Sequence, residues 1–484
     1  MVRNHRPLRR WMRGVAAVAP VLALAACTLT TSGSAHYPSS TFQHTTEFNT
    51  AIDALWDHLL VAGTVVFVLV EAMLIYIIVK YRARPGQREP RHVHGNTTLE
   101  ILWTAIPALI LVTIAIPTVR TIFRTQAKAV SSALQVEVVG HQWWWEFRYP
   151  QYTTRNAATG RVDTLVTANE LYLPKGKTVN FALRTEDVLH SFWIPRLGGK
   201  RDLIANHTNY LWFTPDSGLT GEINTVLNGS CNEYCGASHA NMKFRTFVVT
   251  PAQFASWTAG QLRPAALGAA PAPAATQAAV PALAAQAAEQ SGSVTPELLT
   301  KDVPATQLAQ ARQGAAAVGA TAPGAPGAPS PTATTPVQPA AADVGYVYPA
   351  AQLPEWASPS TPVPTDVRIN TAVAGDPAKG EALLIKGGCI GCHMINGSRV
   401  SVGRLGPNLT HVGTRTTIAA AQFPNTTPYL ARWLKNAPAM KPGSKMPTIG
   451  QGEVNPQTEQ RVNAPAGLTD QEIMDLVAYL QALK

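Results

Sequence analysis

Hydrophobic residues fall along this chain in distinct regimes. Val15–Ala26 is a short apolar run behind Arg3, Arg9, Arg10 and Arg13, the pattern of an export signal. Leu59–Val79 is apolar except for Thr64 and Glu71, and Ile101–Val119 repeats that character. About 20 such residues cross a bilayer as a helix. From Leu134 the runs shorten to 134–149, 162–173, 178–184, 187–194, 209–213 and 243–250, alternating and separated by turn residues. That predicts an all-β sandwich or barrel, in whose aromatic run Trp143-Trp144-Trp145 alternate rings should be buried. Residues 260–343 lose the pattern and are dominated by Ala, Pro, Gly, Gln and Thr. Such a composition cannot bury a core and reads as a disordered, flexible tether. Helical character returns at Asp376–Ile385. It returns again from Leu468 to Leu483, where Thr469 and Glu472 form a capping box and Leu468, Ile473, Val477, Leu480 and Leu483 an apolar stripe.

The chain has 484 residues and a net charge of +10, a length for two or three domains. Much of the basic excess sits at the N-terminus and in Lys80–Arg91, between the two apolar runs. Basic loops stay in the cytoplasm, so both ends of a transmembrane hairpin over 50–124 face outward, and nucleic-acid binding is not expected. Pro107 and Pro117 are expected to kink or end the second helix. Glu71, near mid-span, is costly unless it faces a partner. Glu100 opens the second helix, where the dipole favours a carboxylate.

Five cysteines occur as Cys27, a 231/235 pair and a 389/392 pair, which looks like allocation to chemistry rather than to a disulfide framework. Cys231, Cys235, His239 and Met242 fall four, four and three residues apart, with His190 upstream. Two thiols, two imidazoles and a thioether are a soft donor set that suits copper. Zinc could use two Cys and two His without Met242, and a Cys231–Cys235 disulfide would leave the other donors unexplained. Cys389-Ile390-Gly391-Cys392-His393 reads as covalent haem attachment with His393 proximal. Met394 is too close to His393 to serve opposite it, leaving Met440, Met446 and Met474.

Cys-x-Glu-x-Cys-x3-His-x2-Met, downstream of Val188-Leu189-His190-Ser191-Phe192-Trp193-Ile194-Pro195, resembles subunit II of the haem-copper cytochrome c oxidases at its binuclear copper A centre. Gly140–Phe147 and Gly198–Asp202 carry further family signatures. Ser230 stands where the family usually has Gln, outside the ligand positions. The resemblance implies a cupredoxin Greek-key barrel over 130–258. It implies two coppers bridged by Cys231 and Cys235, with His190 and His239 terminal, Met242 on one copper and the Glu233 carbonyl on the other. Trp143 would be the surface ring where electrons arrive. Glu100 would lie at the mouth of a proton pathway in the partner subunit. Asp202 and the Glu233 carboxylate would lie near a magnesium or manganese ion shared with subunit I.

Residues 374–484 resemble a small all-α class I cytochrome c. Cys389 and Cys392 would form the haem thioethers and His393 and Met446, in Lys445-Met446-Pro447, the axial pair. The Pro407 carbonyl would orient His393. Leu24-Ala25-Ala26-Cys27 resembles a bacterial lipoprotein box, making 1–27 a signal peptide with Cys27 lipidated.

The chain is thus expected to be multidomain, with a linker over 259–373 between barrel and cytochrome. As the electron-input subunit of a terminal oxidase in the bacterial inner membrane, its soluble domains would be periplasmic. Its partners would be subunit I, subunit III and an upstream donor, either a cytochrome or a quinol-oxidising complex. A nitric oxide reductase subunit and a membrane-tethered carrier without turnover are the alternatives.

Overall fold

The structure, a computed structural model, describes residues 39–42, 45–82, 84–86, 94–126, 133–155, 160–215, 225–264, 345–357, 361–398, 400–401 and 403–484. Cys27 and its signal, the loop over 87–93 and the centre of the low-complexity stretch lie outside the described residues.

Two long helices come first, α1 (Glu47–Lys80) and α2 (Thr97–Gln126), packed as a hairpin. Both are long and apolar enough to cross a membrane. Pro107 and Pro117 lie inside α2 without ending it, which removes the second half of the expectation that they kink or end the helix. The start of α1 is built into the soluble domain. Thr46 caps it by accepting from the Asn49 amide and donates its hydroxyl to the Leu197 carbonyl. Asn49 donates to the Pro195 carbonyl at 3.1 Å, and the Glu47 carboxylate accepts from the Thr214 hydroxyl at 2.7 Å. Phe48 is buried in the barrel core.

The β domain has ten strands: β1 (Leu134–His141), β2 (Trp144–Arg155), β3 (Val162–Ala168), β4 (Glu170–Pro174), β5 (Val179–Thr185), β6 (His190–Trp193), β7 (Arg201–Leu203), β8 (Asn209–Phe213), β9 (Thr225–Cys231) and β10 (Lys243–Val249). They form two five-stranded sheets, ordered β3-β2-β1-β5-β8 and β4-β10-β9-β6-β7. Strands β1 and β5 pair in parallel, as do β4 and β10, so the chain crosses over between sheets in the Greek-key manner of a cupredoxin-like barrel. The inner faces meet in an aromatic core. Phe192 stacks on Phe244 with centroids 5.1 Å apart, and Trp145 and Phe147 set their edges against both. Offset and edge-on rings add to plain apolar burial. Helix α3 (Pro251–Gln261) follows β10, opened by a Thr250–Gln253 capping box, and lays Phe254 and Trp257 on Tyr149.

Glu146, on β2, is buried between His141 and Arg148. Burial opposes its ionisation, but the His141 hydrogen bond and the Arg148 charge outweigh it and hold the carboxyl down to about 2. A carboxylate depressed on folding adds stability above its unfolded pKa and loses it as the pH falls through the folded one. About 3 kcal/mol of stability should therefore vanish between roughly pH 4.5 and 2. Melting temperatures measured across that range should fall less steeply for Glu146→Gln.

Residues 345–357, inside the stretch read as linker, lie against the barrel. Tyr348 and Ala357 are buried in its core cluster, and the Arg245 guanidinium donates to the Ala357 carbonyl at 2.7 Å.

The C-terminal domain is helical, with α4 (Pro377–Lys386), α5 (Thr427–Lys435), α6 (Ala437–Met440) and α7 (Asp470–Ala482), plus a short hairpin of β11 (Thr417–Ile418) and β12 (Phe423–Pro424). Helix α7 carries the expected Thr469–Glu472 capping box and packs across α4. Its buried face includes Ile473, Val477 and Leu480, beside Leu384 and Leu430. This domain rests on the barrel. The expected alternation of buried tryptophans fails for that reason: Trp145 points into the core, while Trp144 on the opposite face is buried beside Ala168 of β3 and Ala420 of the helical domain.

Candidate metal centre and haem site

Strand β9 ends at Cys231, a turn carries Glu233 and Cys235, and a single 3-10 turn, His239–Asn241, returns the chain to Met242 at the head of β10. His190 opens β6, which pairs with β9 through Phe192 opposite Cys231. One corner of the barrel thus collects every donor. The Cys231 and Cys235 sulfurs are 3.8 Å apart and both thiols are free. Cys231 Sγ lies 3.7 Å from His190 Nδ1 and 3.3 Å from the Glu233 carbonyl oxygen. Cys235 Sγ lies 3.6 Å from His239 Nδ1 and 3.9 Å from Met242 Sδ. Each sulfur therefore has one imidazole, with one further donor on either side. Among the described residues, His190, Cys231 and Cys235 form the cluster of candidate metal ligands drawn from His, Cys, Asp and Glu, with donor atoms within 4.8 Å of one another.

The surroundings fix these donors. Gly140 on β1 faces the His190 ring, where a Cβ would come within 2.7 Å of Cδ2, so a side chain there would displace the imidazole. His190 Nε2 lies 2.9 Å from Asp187 Oδ1. A carboxylate on the outer nitrogen sets the tautomer and leaves Nδ1 facing the sulfurs. Asp187 also accepts from the Gln142 amide at 2.7 Å. Burial works against its charge, yet these hydrogen bonds, with His190 foremost, keep it at about 2. The sequence reading missed Asp187; its signal was a carboxylate three residues before His190. The hydrogen bond from Cys235 and the His190 imidazole favour the Cys231 thiolate, while the adjacent Cys231 charge and burial push the Cys235 thiol up. A thiolate beside an imidazole is a metal ligand in its binding form.

Trp143 sits half-buried above this corner, its Nε1 donating to the Cys235 carbonyl at 2.9 Å. Asp202 on β7 and Glu233 are both exposed near Ser191, whose backbone meets Asp202 across the ladder and the Asn232 amide beyond β9. Glu100 is exposed in the first turn of α2.

In the helical domain, Cys389 and Cys392 bracket a 3-10 turn and are free and partly buried. His393 Nδ1 donates to the Pro407 carbonyl at 2.8 Å, which leaves Nε2 as the nitrogen a metal could use. Burial lowers the His393 pKa against that hydrogen bond and so favours the neutral imidazole that a metal needs. Met440 is buried at the end of α6, and Met446 is half-buried at the edge of the same core. The donors present fit a binuclear copper site in the barrel and a covalently held haem in the helical domain.

Fold and donor sets define a membrane-anchored cupredoxin-like redox protein that carries its own cytochrome c. Family models agree along the chain: cytochrome c oxidase subunit II, transmembrane domain, over 39–121; the periplasmic domain of the same subunit over 134–249; and cytochrome c over 377–484. The cytochrome c oxidase subunit 2 of Alkalihalophilus pseudofirmus is 36% identical over 42% of this chain and 56% of its own length. That of Arabidopsis thaliana is 30% identical over 41% of this chain and 80% of its own length. The periplasmic domain of subunit II of the Bradyrhizobium japonicum cytochrome oxidase is 29% identical, with 27% of this chain and 95% of that one covered and a TM-score of 0.22. The chain spans about half the length of the bacillar relatives it matches. It belongs to the cytochrome c oxidase subunit II family, with a cytochrome c domain at its C-terminal end.

Proposed function

We propose that the chain is the electron-input subunit of a terminal oxidase that reduces oxygen to water in a partner subunit I. When bound, the copper pair and the haem supply reversible one-electron chemistry. Cys231, Cys235, His190 and His239 would hold the copper pair as its thiolate and imidazole donors, with Met242 and the Glu233 carbonyl as the further donor on either side. Cys389 and Cys392 would hold the haem covalently as thioethers, and His393 and Met446 would be its iron ligands. Trp143 receives electrons at the copper corner, and its indole N–H fixes its ring to the backbone of Cys235. Asp202 and Glu233 would help to hold a magnesium or manganese ion shared with subunit I, and Glu100 would lie at the mouth of its proton pathway. The hairpin crosses the bacterial inner membrane with both soluble domains periplasmic, and Cys27, lipidated, adds a second anchor. Subunit III and an upstream donor complete the assembly.

The convergence of two sulfurs, two imidazoles and a thioether on one barrel corner is the observation that carries this reading. The purified complex should consume oxygen when supplied with a reduced c-type cytochrome, and this chain should hold two coppers per haem. A complex with that metal content that reduces nitric oxide but takes up no oxygen would replace the reading.

A further inference from the structure

Five consecutive residues of the cytochrome domain, Lys441 to Lys445, make four separate contacts with the metal corner. Lys441 is 4% exposed, and its ammonium donates to the carbonyls of Trp143 and Ala419. A buried ammonium is costly unless carbonyls replace its water, so these two contacts tie the lysine to this position. The Ser238 hydroxyl, three residues past Cys235, donates to the Pro442 carbonyl. Gly443 lies on the Trp143 indole with φ +83; a Cβ there would come 2.6 Å from ring atom Cζ3 and 3.2 Å from Ala237 Cβ. Lys445 Nζ is 3.6 Å from Asp187 Oδ2, on the carboxylate that also holds His190. The next residue is Met446.

A second patch holds the same orientation. The Thr416 amide donates to the buried Glu170 carboxylate at 2.7 Å, joined by its own hydroxyl and the Thr417 amide. Ala420 closes over Trp144. The space above the Trp143 ring is therefore filled by backbone of the chain's own cytochrome domain.

We propose that Lys441–Lys445 is a docking element that seats the cytochrome domain on Trp143 and closes the copper corner to other donors. An external one-electron carrier protein can then reduce this chain only through the cytochrome domain. The inference rests on the proposed function. Each transfer moves one electron and no bond: the carrier's metal is oxidised by one electron as the haem is reduced by one. The haem then returns to its oxidised form as the copper pair gains that electron. Gly443 is the fitting residue, because any side chain there meets the indole. Lys441 is the anchoring residue.

The test uses the full-length, metal-loaded protein, wild type, Gly443→Leu and Lys441→Met. Hydroxyl-radical footprinting with tandem mass spectrometry should find the Trp143 side chain protected in wild type and should find that protection lost in both variants. Lys441→Met reads the same surface if Gly443→Leu fails to fold. In stopped flow with a reduced soluble c-type cytochrome, wild-type copper should be reduced after the haem, at a rate independent of carrier concentration. Equal oxidation of Trp143 in all three proteins would overturn the inference. So would wild-type copper reduction that rises with carrier concentration and runs ahead of the haem. Copper and haem contents of the same samples test the functional reading separately, since the footprint needs neither centre to turn over.

Discussion

Cys231→Ser is expected to leave the protein with at most one copper and no purple chromophore. Cys231 closes β9, is 6% exposed and stands within 4 Å of three other donors, His190 Nδ1, the Glu233 carbonyl and Cys235 Sγ. Serine fits that volume, so the strand and its register should survive. A hydroxyl is a hard donor that stays protonated at neutral pH, whereas thiolates are the soft ligands that copper prefers. With Cys235 left as the one bridging thiolate, two coppers would no longer share an electron evenly. Electron paramagnetic resonance of the wild type should show one unpaired electron coupled to two copper nuclei, and the variant should show coupling to one or none. His190→Ala should be milder, retaining some copper with an altered spectrum, because it removes a terminal donor. Two coppers with an unchanged spectrum in Cys231→Ser would remove the ligand assignment.

Met446→Ala should abolish the weak near-infrared band that marks a sulfur–iron bond, and leave the haem attached through Cys389 and Cys392. Met440 is the competing thioether, and the structure gives the two different surroundings. Met440 is 4% exposed within the apolar core beside Leu430 and Leu434; Met446 is partly exposed at its margin. Truncating a buried methionine to alanine costs about 2–5 kcal/mol. Met440→Ala should therefore lower the melting temperature and retain the band, whereas Met446→Ala should lose the band with the smaller change in stability. The reverse pattern would assign Met440 as the ligand.

The parts legible in the sequence were those whose signal is local. Thr469 and Glu472 predict the start of α7 because a capping box needs only four residues. Cys231, Cys235, His239 and Met242 could be grouped because one turn carries them, and the structure brings His190 to the same corner. Other features depended on distant partners. Strand β9 carries Asn228-Gly229-Ser230 ahead of Cys231, a stretch whose propensity is weak; its pairing with β10 and β6 makes it a strand. Strand β7, three residues long, is defined by pairing with His190–Phe192. Trp144 reads as an outward-facing ring until the cytochrome domain covers it. Tyr348 lies inside the span that reads as linker, and its burial follows from Phe247 of the barrel, with ring centroids 4.9 Å apart. Lys441 gave no local sign of its role, since its carbonyl partner Trp143 is 298 residues away.

The insertion of Phe48 into the barrel, with Thr46, Glu47 and Asn49 bonded around it, gives the copper corner a compass heading. Helix α1 runs unbroken from Glu47 to Lys80, so the barrel is keyed to the same rod whose apolar run begins at Leu59. The twelve residues from Glu47 to His58 lift the barrel by about 18 Å, at roughly 1.5 Å each. Each residue also turns the rod by about 100°. One residue added or lost in that stretch would raise or lower the copper corner only slightly, but would swing it more than a quarter turn about the helix axis. The length of this segment is thus an angular setting: it decides which way the metal corner of the barrel faces about the axis of α1.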